Sequence, residues 1–413
     1  MAQIHNILEV DFTSATFKAN PYSYYAQLRA SAPVHPVDRF FRGQRAWLVA
    51  RYDDAVEVLK ADDVFNKNPA NAMTPEQYRR SPKMPFKALS NNLLSVDVPD
   101  HTRLKALVHK AFSPRAVEQM RLQTETLARD LLDQMEAKHE RGESIDLIAD
   151  YALPLPLTII GRMLGVPDED KDKFHQWTQN FVAIGSSSTF GAVLRAPGIM
   201  RFAGYLRQMV RERAKNPQDD LISALVAARE ADEYLTEDEV VAMVFLLLSA
   251  GHETTVNLIG SGTLALLQHR NQWEKLRAQP DLAKSAVEEL LRFVTPAEMA
   301  TERYAATTTT IANVEIPRGD LVFVVIASAN RDERRFDNPE VVDIARQDNK
   351  HISFGQGIHY CVGAPLSRLE GQIAIPALIE RFPDLRLSIS EDRLRWRGNV
   401  VLRGLESLPV QIR

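Results

Sequence analysis

The sequence predicts a mainly α-helical protein with a smaller β region. Between about Pro114 and Arg270, apolar residues recur at helical spacing almost without interruption. Runs rich in β-branched and aromatic residues cluster near 45–60, 305–330 and 385–413, and a helical bundle is expected over 100–300. No repeat and no Gly/Ser-rich or Pro-rich linker divides the chain, so we expect a single domain over residues 1–413.

The individual elements follow from local patterns. Asn20-Pro21 predicts the start of a short helix, because proline suits the first helical turn. A strand is expected over 46–50 and a helix over 52–59. Breaks in the helical bundle are expected at Pro154, Pro156, 165–167 and 216–217. Later strands are expected over 307–315, 321–327, 400–402 and 408–412.

Composition narrows the possible functions. The 413 residues are 45% hydrophobic and 25% charged, which suits a core large enough to enclose a cofactor. The net charge of -4 gives no general attraction to nucleic acid. The start of the chain lacks a basic region followed by an apolar run, and the longest apolar stretch, 240–250, is too short to span a bilayer. We expect a cytoplasmic protein with no membrane anchor and no nucleic-acid partner.

A long helix is predicted to begin after Thr236, where Thr236 and Glu239 form a capping box. It is apolar for three turns and then carries the polar sequence Ala250-Gly251-His252-Glu253-Thr254-Thr255. These polar groups either satisfy one another or a neighbouring helix, or they open a groove able to hold water or dioxygen. A zinc-protease motif is ruled out, because the second histidine would fall at Val256.

Cys361 is the only cysteine, and it lies in the loop Phe354-Gly355-Gln356-Gly357-Ile358-His359-Tyr360-Cys361-Val362-Gly363. A sole thiol cannot form an internal disulfide and lacks the second sulfur of most structural zinc sites. One interpretation is an axial bond to haem iron, with the glycines letting backbone N–H groups approach the sulfur. The other is a small buried hydrophobic residue.

Two of these motifs resemble those of the cytochrome P450 family. The loop matches Phe-Gly-x-Gly-x-His-x-Cys-x-Gly, and residues 250–255 are similar to the oxygen-activation motif. Glu289 and Arg292 match the family's Glu-x-x-Arg pair and lie between the other two motifs. The resemblance implies a cytochrome P450 fold, with haem b between a long central helix and the loop, and Cys361 as the metal ligand. It also implies that Thr254 hydrogen-bonds bound dioxygen while Glu253 relays protons to it.

The same resemblance implies roles for other residues. Glu289 and Arg292 would form a structural network with Arg346. Lys105 stands where many relatives have arginine, which puts bidentate binding of a haem propionate there in doubt. The residues expected to contact haem are His101, Lys105, Ala250, Arg303, Phe354, Gly355, His359 and Gly363. The candidate substrate contacts are Leu93, Leu94, Leu246, Ala297, Met299, Val400 and Val401. Glu298 is expected either to bind a polar group of the substrate or to point to solvent.

The activity implied is a monooxygenase that hydroxylates a C–H bond with one atom of O2. The aliphatic candidate contacts favour a medium or large hydrophobic substrate such as a polyketide or macrolide, terpenoid, steroid or fatty acid. The chain has no cysteine set for an iron–sulfur cluster and no dinucleotide-binding loop, so electrons are expected from a separate ferredoxin or flavodoxin with its NAD(P)H reductase. The partner is expected to dock on basic residues, namely Arg103, Lys105, Lys110, Arg115 and Arg368.

Two other functions remain open at this point. A peroxide-driven haem oxidase would share the thiolate, but that subfamily replaces the acid and alcohol pair that Glu253 and Thr254 provide here. A non-catalytic haem sensor or haem-binding protein would need no proton relay at this position.

Overall fold

The computed structural model describes residues 10–41, 43–81, 91–111, 114–170, 173–174, 177, 189–230 and 233–412. The chain divides into two compact units, each built from separate stretches of sequence. Unit 1 comprises Met1–Lys83, Ser261–Cys361 and Leu394–Glu406, and unit 2 comprises Met84–Gly260, Val362–Arg393 and Ser407–Arg413. The expected single domain stays a prediction.

Helices dominate the described residues, as the sequence predicts. In chain order they are α1 Ala15–Ala19, α2 Tyr22–Ser31, α3 Tyr52–Lys60, α4 Pro69–Ala72, α5 Pro75–Arg80, α6 Asp100–Ala111, α7 Pro114–Gln119, α8 Arg121–Glu140, α9 Pro154–Met163, α10 Thr189–Lys215, α11 Leu221–Ala227, α12 Glu237–Gly251, α13 Glu253–Gln268, α14 Arg270–Ala278, α15 Ala283–Val294, α16 Ile326–Ala329 and α17 Ala364–Arg381. A π-helical turn, Ile148–Ala152, precedes α9.

The strands are short apart from the first two. They are β1 Val34–Phe41, β2 Gln44–Val49, β3 Phe65–Asn66, β4 Ile145–Asp146, β5 Arg229–Glu230, β6 Glu233–Tyr234, β7 Arg303–Ala305, β8 Thr309–Ile311, β9 Val314–Ile316, β10 Leu321–Val324, β11 Arg386–Leu387 and β12 Pro409–Gln411.

Unit 1 is organised around a five-stranded sheet with the order β1-β2-β10-β7-β3. β10 pairs with β2 in parallel, with Val322 opposite Trp47, while the other pairs are antiparallel. Every residue of β10 is buried, as expected of a central strand covered on both faces. One face of the sheet packs on Tyr25, Leu28 and Met299, and the other on Ala55 and Val58 of α3. The sheet therefore separates two apolar clusters, each of which it shares with helices of unit 1.

A buried charge network ties α15 to the segment that follows α16. Glu289 and Arg292 are fully buried and paired twice, with Nε and Nη2 of Arg292 each 2.8 Å from a different carboxylate oxygen. Arg346 Nε donates to Glu289 Oε2 at 3.1 Å, and the amide of Asp343 donates to Oε1 at 2.9 Å. The remaining guanidinium hydrogens of Arg292 reach the carbonyls of Asn330, Pro339 and Val341. The structure thus joins all three residues that the sequence suggested for this network.

Unit 2 is mainly helical. The capping box predicted at its long helix is present, since the Thr236 hydroxyl accepts from the Glu239 amide and the Glu239 carboxylate accepts from the Thr236 amide. Glu237–Gln268 is the one stretch of the described residues that is long and apolar enough to cross a membrane, but 72% of its apolar window is buried inside the protein. These helices therefore belong to the core of the fold.

Glu370 introduces a carboxyl group into the apolar face of α17. It lies among Leu366, Leu369 and Ile373, and only 1% of its surface is exposed. Burial raises the pKa of the Glu370 carboxyl to about 8, and the neighbouring Thr255 hydroxyl lowers it by less than burial raises it. Glu370 is therefore protonated in the folded protein at neutral pH.

The structure departs from the predicted elements at four places. The strand expected over 307–315 is the hairpin β8–β9, whose turn places Ala312 and Asn313 at φ 48 and 63. The strand expected over 321–327 ends at Val324 and is followed by α16. Residues 400–402 form only an isolated bridge between Ala297 and Leu402. Pro154 begins α9 after the expected break, but Pro156 lies in the first turn of α9 and does not break the helix, which agrees with the preference of proline for the first turn.

The buried network predicts a large loss of stability on removal of the Glu289 charge. Glu289→Gln leaves the buried guanidinium of Arg292 and the partly buried one of Arg346 without their carboxylate and should lower the free energy of unfolding by about 3–5 kcal/mol. Glu274→Gln breaks an exposed pair with Arg270 in the same unit and should change it by less than about 0.5 kcal/mol. Urea denaturation followed by circular dichroism measures both; equal losses in the two variants would contradict the role assigned to the network.

Glu370 predicts an unusual dependence of stability on pH. Between pH 4.5, the ordinary pKa of glutamate, and about 8, the unfolded chain loses this proton while the folded protein keeps it. Stability from this group is therefore complete below pH 4.5 and declines as pH rises to about 8, by up to about 1.4 kcal/mol per pH unit. Glu370→Gln should remove that decline and be more stable than the wild type at pH 8. Glu380→Gln, an exposed change on the same helix, should leave the pH profile unaltered.

Candidate active site

The loop that carries Cys361 is closed by its own backbone. The Cys361 amide donates to the Phe354 carbonyl at 2.9 Å, and the Gly355 amide donates to the Ile352 carbonyl at 2.9 Å. Gly355 and Gly357 adopt φ +71 and +72, which side chains disfavour. A Cβ at Gly357 would also lie 2.5 Å from the Leu59 carbonyl oxygen. Both glycines are therefore required by the conformation of the loop.

Cys361 is exposed at the end of this loop. This exposure argues against a small buried hydrophobic residue, because unmodified cysteine is among the most buried residue types. Gly363 follows as the N-cap of α17, so the loop ends within three residues of the sulfur. The side chain of Phe354 is half-buried, with its ring centroid 6.3 Å from that of Tyr360. The sequence and the fold together present one thiol to a ligand.

The predicted oxygen motif lies where the long core helix is interrupted. α12 ends at Gly251 and α13 begins at Glu253, with His252 between them. The ring nitrogen Nδ1 of His252 lies 2.6 Å from the Leu248 carbonyl, and the Thr254 hydroxyl donates to the Ala250 carbonyl at 3.0 Å. Side chains that bond to carbonyls four residues earlier compete with the regular helix ladder. This competition accounts for the break.

The same two helices have one accessible face. Leu246 and Thr254 are partly exposed and Ala250 is exposed, whereas 240–245 and 255–260 are buried throughout. These three positions are four residues apart and therefore lie along one side of the helical path. A strip of this kind, with an alanine at its centre, can accept a flat ligand.

Glu253 lies at the start of α13 and is 8% exposed. The N-terminus of a helix stabilises negative charge, since its first amides are not used within the helix. Because α13 begins after the interruption at His252, the Glu253 carboxylate lies at a helix N-terminus that stabilises its negative charge inside the core.

Haem needs one axial ligand and cationic partners for two propionates, and the described residues fit both needs. His101 is 1% exposed and Lys105 half-buried, and they lie one turn apart on α6 of unit 2. Burial lowers the pKa of Lys105, so an anion beside it would favour its charged form. In unit 1, Arg303 is 4% exposed and His359 half-buried. Basic side chains of this kind can hold carboxylates such as the propionates.

The candidate substrate contacts differ in their exposure. Leu94, Ala297, Val400 and Val401 are partly exposed, and so is Leu246. Leu93 is 8% exposed, and Met299 is fully buried in the core of unit 1 beside Tyr25. Neither expectation for Glu298 describes its position. Its carboxylate is fully buried and paired with Lys18, so it faces neither solvent nor an open site.

Sequence reasoning missed the polar group behind Thr254. The Thr255 hydroxyl donates to the Ser367 hydroxyl at 3.2 Å, and Glu370 lies one turn further along α17. The available signal was a glutamate on the otherwise apolar side of α17, formed by Leu366, Leu369 and Ile373. These groups connect the oxygen motif to the helix that follows Cys361.

Comparison with known proteins agrees with this site. The profile of the family described as Cytochrome P450 matches residues 5–393. The polyketide biosynthesis cytochrome P450 PksS of Bacillus subtilis (strain 168) is 45% identical over 401 residues, 96% of each chain.

Solved structures give the same result. The structure of the B. subtilis 168 bacillaene polyketide synthase cytochrome P450 PksS superposes with a TM-score of 0.90 at 42% identity, covering 98% of this chain and 100% of the other. The myxobacterial cytochrome P450 CYP267B1, solved in complex with myristic acid, has a TM-score of 0.89 at 37% identity and covers 97% and 98%. With its cysteine loop, interrupted core helix and Glu289–Arg292 pair, the chain belongs to the cytochrome P450 family, whose members are haem-thiolate oxidoreductases.

Proposed function

We propose that this protein hydroxylates a medium or large aliphatic compound, with haem b held by the Cys361 thiolate. Haem supplies the reductive activation of O2, so that RH, O2, two electrons and two protons give ROH and water. The observation that carries the proposal is the accessible strip Leu246, Ala250 and Thr254 beside an acid and an alcohol at the break in the core helix. A binding protein would have no use for that arrangement.

Some residues of the chain would hold the cofactor, and others would deliver protons. Cys361 would supply the axial thiolate, and the amides of the glycine loop would moderate its basicity. His101, Lys105, Arg303 and His359 would neutralise the propionates. Glu253 would pass a proton to the Thr254 hydroxyl, whose bond to the Ala250 carbonyl at 3.0 Å already fixes its direction. Ala250, having no side chain beyond Cβ, would leave room for the cofactor plane.

The proposed substrate is a polyketide or macrolide, terpenoid, steroid or fatty acid. Partly exposed aliphatic side chains occur in unit 2 at Leu94 and Leu246 and in unit 1 at Ala297, Val400 and Val401, and they support an apolar substrate with few directional groups. Leu93 and Met299 stay proposed contacts, although their burial favours a supporting role. The names of the relatives agree with this range, since PksS is a polyketide enzyme and CYP267B1 was solved with myristic acid.

We further propose that a separate ferredoxin or flavodoxin, with its NAD(P)H reductase, supplies the electrons in the cytoplasm. Of the basic residues suggested for its docking, Arg115 is exposed and Arg368 partly exposed. Arg103 forms an ion pair with Glu239, so its charge is already balanced. The side chain of Lys110 lies outside the described residues. Arg115 and Arg368 stay proposed contacts of an acidic partner.

The axial bond predicts a specific spectrum. The reduced protein with carbon monoxide should absorb near about 450 nm, the position typical of thiolate-ligated haem, and Cys361→Ala should lose this band. Tyr360→Phe alters the exposed neighbouring residue and should keep the band. A band near about 420 nm in the wild type, or no bound haem, would refute the proposal.

The proton relay predicts uncoupled turnover. With a surrogate ferredoxin, its reductase and myristic acid as trial substrate, Thr254→Ala should still consume NADPH but release mainly hydrogen peroxide. Hydroxylated product per NADPH should fall by about 10-fold or more, within the range that positioned proton donors contribute. Thr254→Ser keeps the hydroxyl and should retain most of the coupling.

Two outcomes would favour the alternatives. NADPH consumption and product unaffected by Thr254→Ala would remove the relay from the mechanism. Efficient product formation from hydrogen peroxide without any reductase would favour the peroxide-driven oxidase, and haem binding without turnover under any condition would favour a sensor.

A further inference from the structure

An ion pair buried in unit 1 lies directly behind candidate substrate contacts. Lys18, in the last turn of α1, and Glu298 both have no exposed surface, and the Lys18 ammonium pairs with Glu298 Oε2. The hydroxyl of Tyr25, which is also fully buried, donates to Glu298 Oε1 at 2.7 Å. We call Lys18, Tyr25 and Glu298 the α1 cluster.

Glu298 belongs to a backbone arrangement that we call the strap, residues 296–299 together with 400–403. The Met299 amide donates to the Val401 carbonyl and the Arg403 amide to the Pro296 carbonyl, both at 3.1 Å. Ala297 and Leu402 form a bridge between these bonds. The two halves of the strap therefore move together.

Lys18 contacts both halves of the strap. Its side chain holds Glu298, and its backbone carbonyl accepts from Arg403 Nε at 2.8 Å. Arg403 also donates to the Ala19 carbonyl at 3.2 Å, and its guanidinium lies 3.8 Å from the ring centroid of Trp396. One short helix thus contacts both halves of the strap, whose partly exposed residues include Ala297, Val400 and Val401.

Stability alone does not explain this arrangement. A buried ion pair costs so much desolvation that apolar residues of similar size often serve the fold as well or better. Burial lowers the pKa of Lys18 and Glu298 opposes that shift, so each charge depends on the other. Unlike apolar packing, such a pair fixes the orientation of a side chain, because only one placement of the Glu298 carboxylate satisfies both Lys18 and Tyr25.

We propose that the α1 cluster is a positioning device that sets which large ligands the active site accepts, by fixing the strap that carries Ala297, Val400 and Val401. The proposal rests on the proposed function, in which these residues face the substrate. Loss of the cluster would let the strap shift, which changes the space available to a bulky ligand. A ligand small enough to stay near the iron would be unaffected.

Azole binding tests this without knowledge of the substrate, because an unhindered imidazole nitrogen can ligate haem iron. The readout is the ratio of the dissociation constants of clotrimazole, which is bulky, and imidazole, which is small. Lys18→Met should change this ratio by about 5-fold or more, and Tyr25→Phe by about 2-fold in the same direction, as expected for the loss of buried hydrogen bonds. Lys138→Met removes a partly buried ion pair with Asp150 in unit 2 and should leave the ratio unchanged.

Hydrogen exchange supplies a readout that needs no ligand. Amides in 296–300 and 399–403 should exchange faster in Lys18→Met and Tyr25→Phe, and at the wild-type rate in Lys138→Met. An unchanged ratio and unchanged exchange in Tyr25→Phe, the milder variant, would overturn the proposal even if Lys18→Met failed to fold. Wild-type protein that binds no imidazole and gives no thiolate band would instead refute the proposed function, while exchange would still decide whether the cluster holds the strap.

Discussion

The backbone ladder of the long core helix is interrupted at His252, and the candidate site depends on that interruption. An unbroken helix buried on all sides could present neither an exposed Ala250 nor a carboxylate with its own helix N-terminus at Glu253. The cause is local, since side chains of His252 and Thr254 bond to carbonyls one turn back and weaken the regular pattern. Packing against the rest of the fold then has to keep the apolar turns on either side of His252 helical.

Buried charge is handled in three different ways, and each suits its location. Glu289 is surrounded by donors from Arg292, Arg346 and Asp343 and joins distant segments. The Glu298 carboxylate pairs with the Lys18 ammonium and accepts a hydrogen bond from the Tyr25 hydroxyl. These two contacts fix the orientation of the carboxylate more than they stabilise the fold. Burial raises the pKa of Glu370 to about 8, so this carboxyl group is neutral at pH 7.

The elements that could be predicted from the sequence are those in which the functional residue and the residues that shape the backbone lie in the same short segment. Gly355 and Gly357 are needed by the same loop that presents Cys361, and Thr236 and Glu239 cap the same helix that carries Thr254. The Arg346 contact to Glu289 spans 57 residues and could be suggested only through the resemblance. Lys18 and Glu298 are 280 residues apart, and nothing in either local pattern distinguishes them from solvated charges. The bend of β10 into α16 depends likewise on packing that no short window contains.

Short sequence motifs and long-range contacts would contribute differently to the proposed selectivity. The groups that act on oxygen are encoded within two short motifs, so they can be retained while the remainder of the chain changes. The strap is different, because its position follows from α1, from Arg403 and from the sheet through the bond of the Ala327 amide to the Glu298 carbonyl at 3.0 Å. A substitution in α1 can therefore alter the shape offered to a substrate without contacting it. If the α1 cluster positions the strap as proposed, selectivity would follow from the packing of unit 1 as well as from the side chains that contact the substrate.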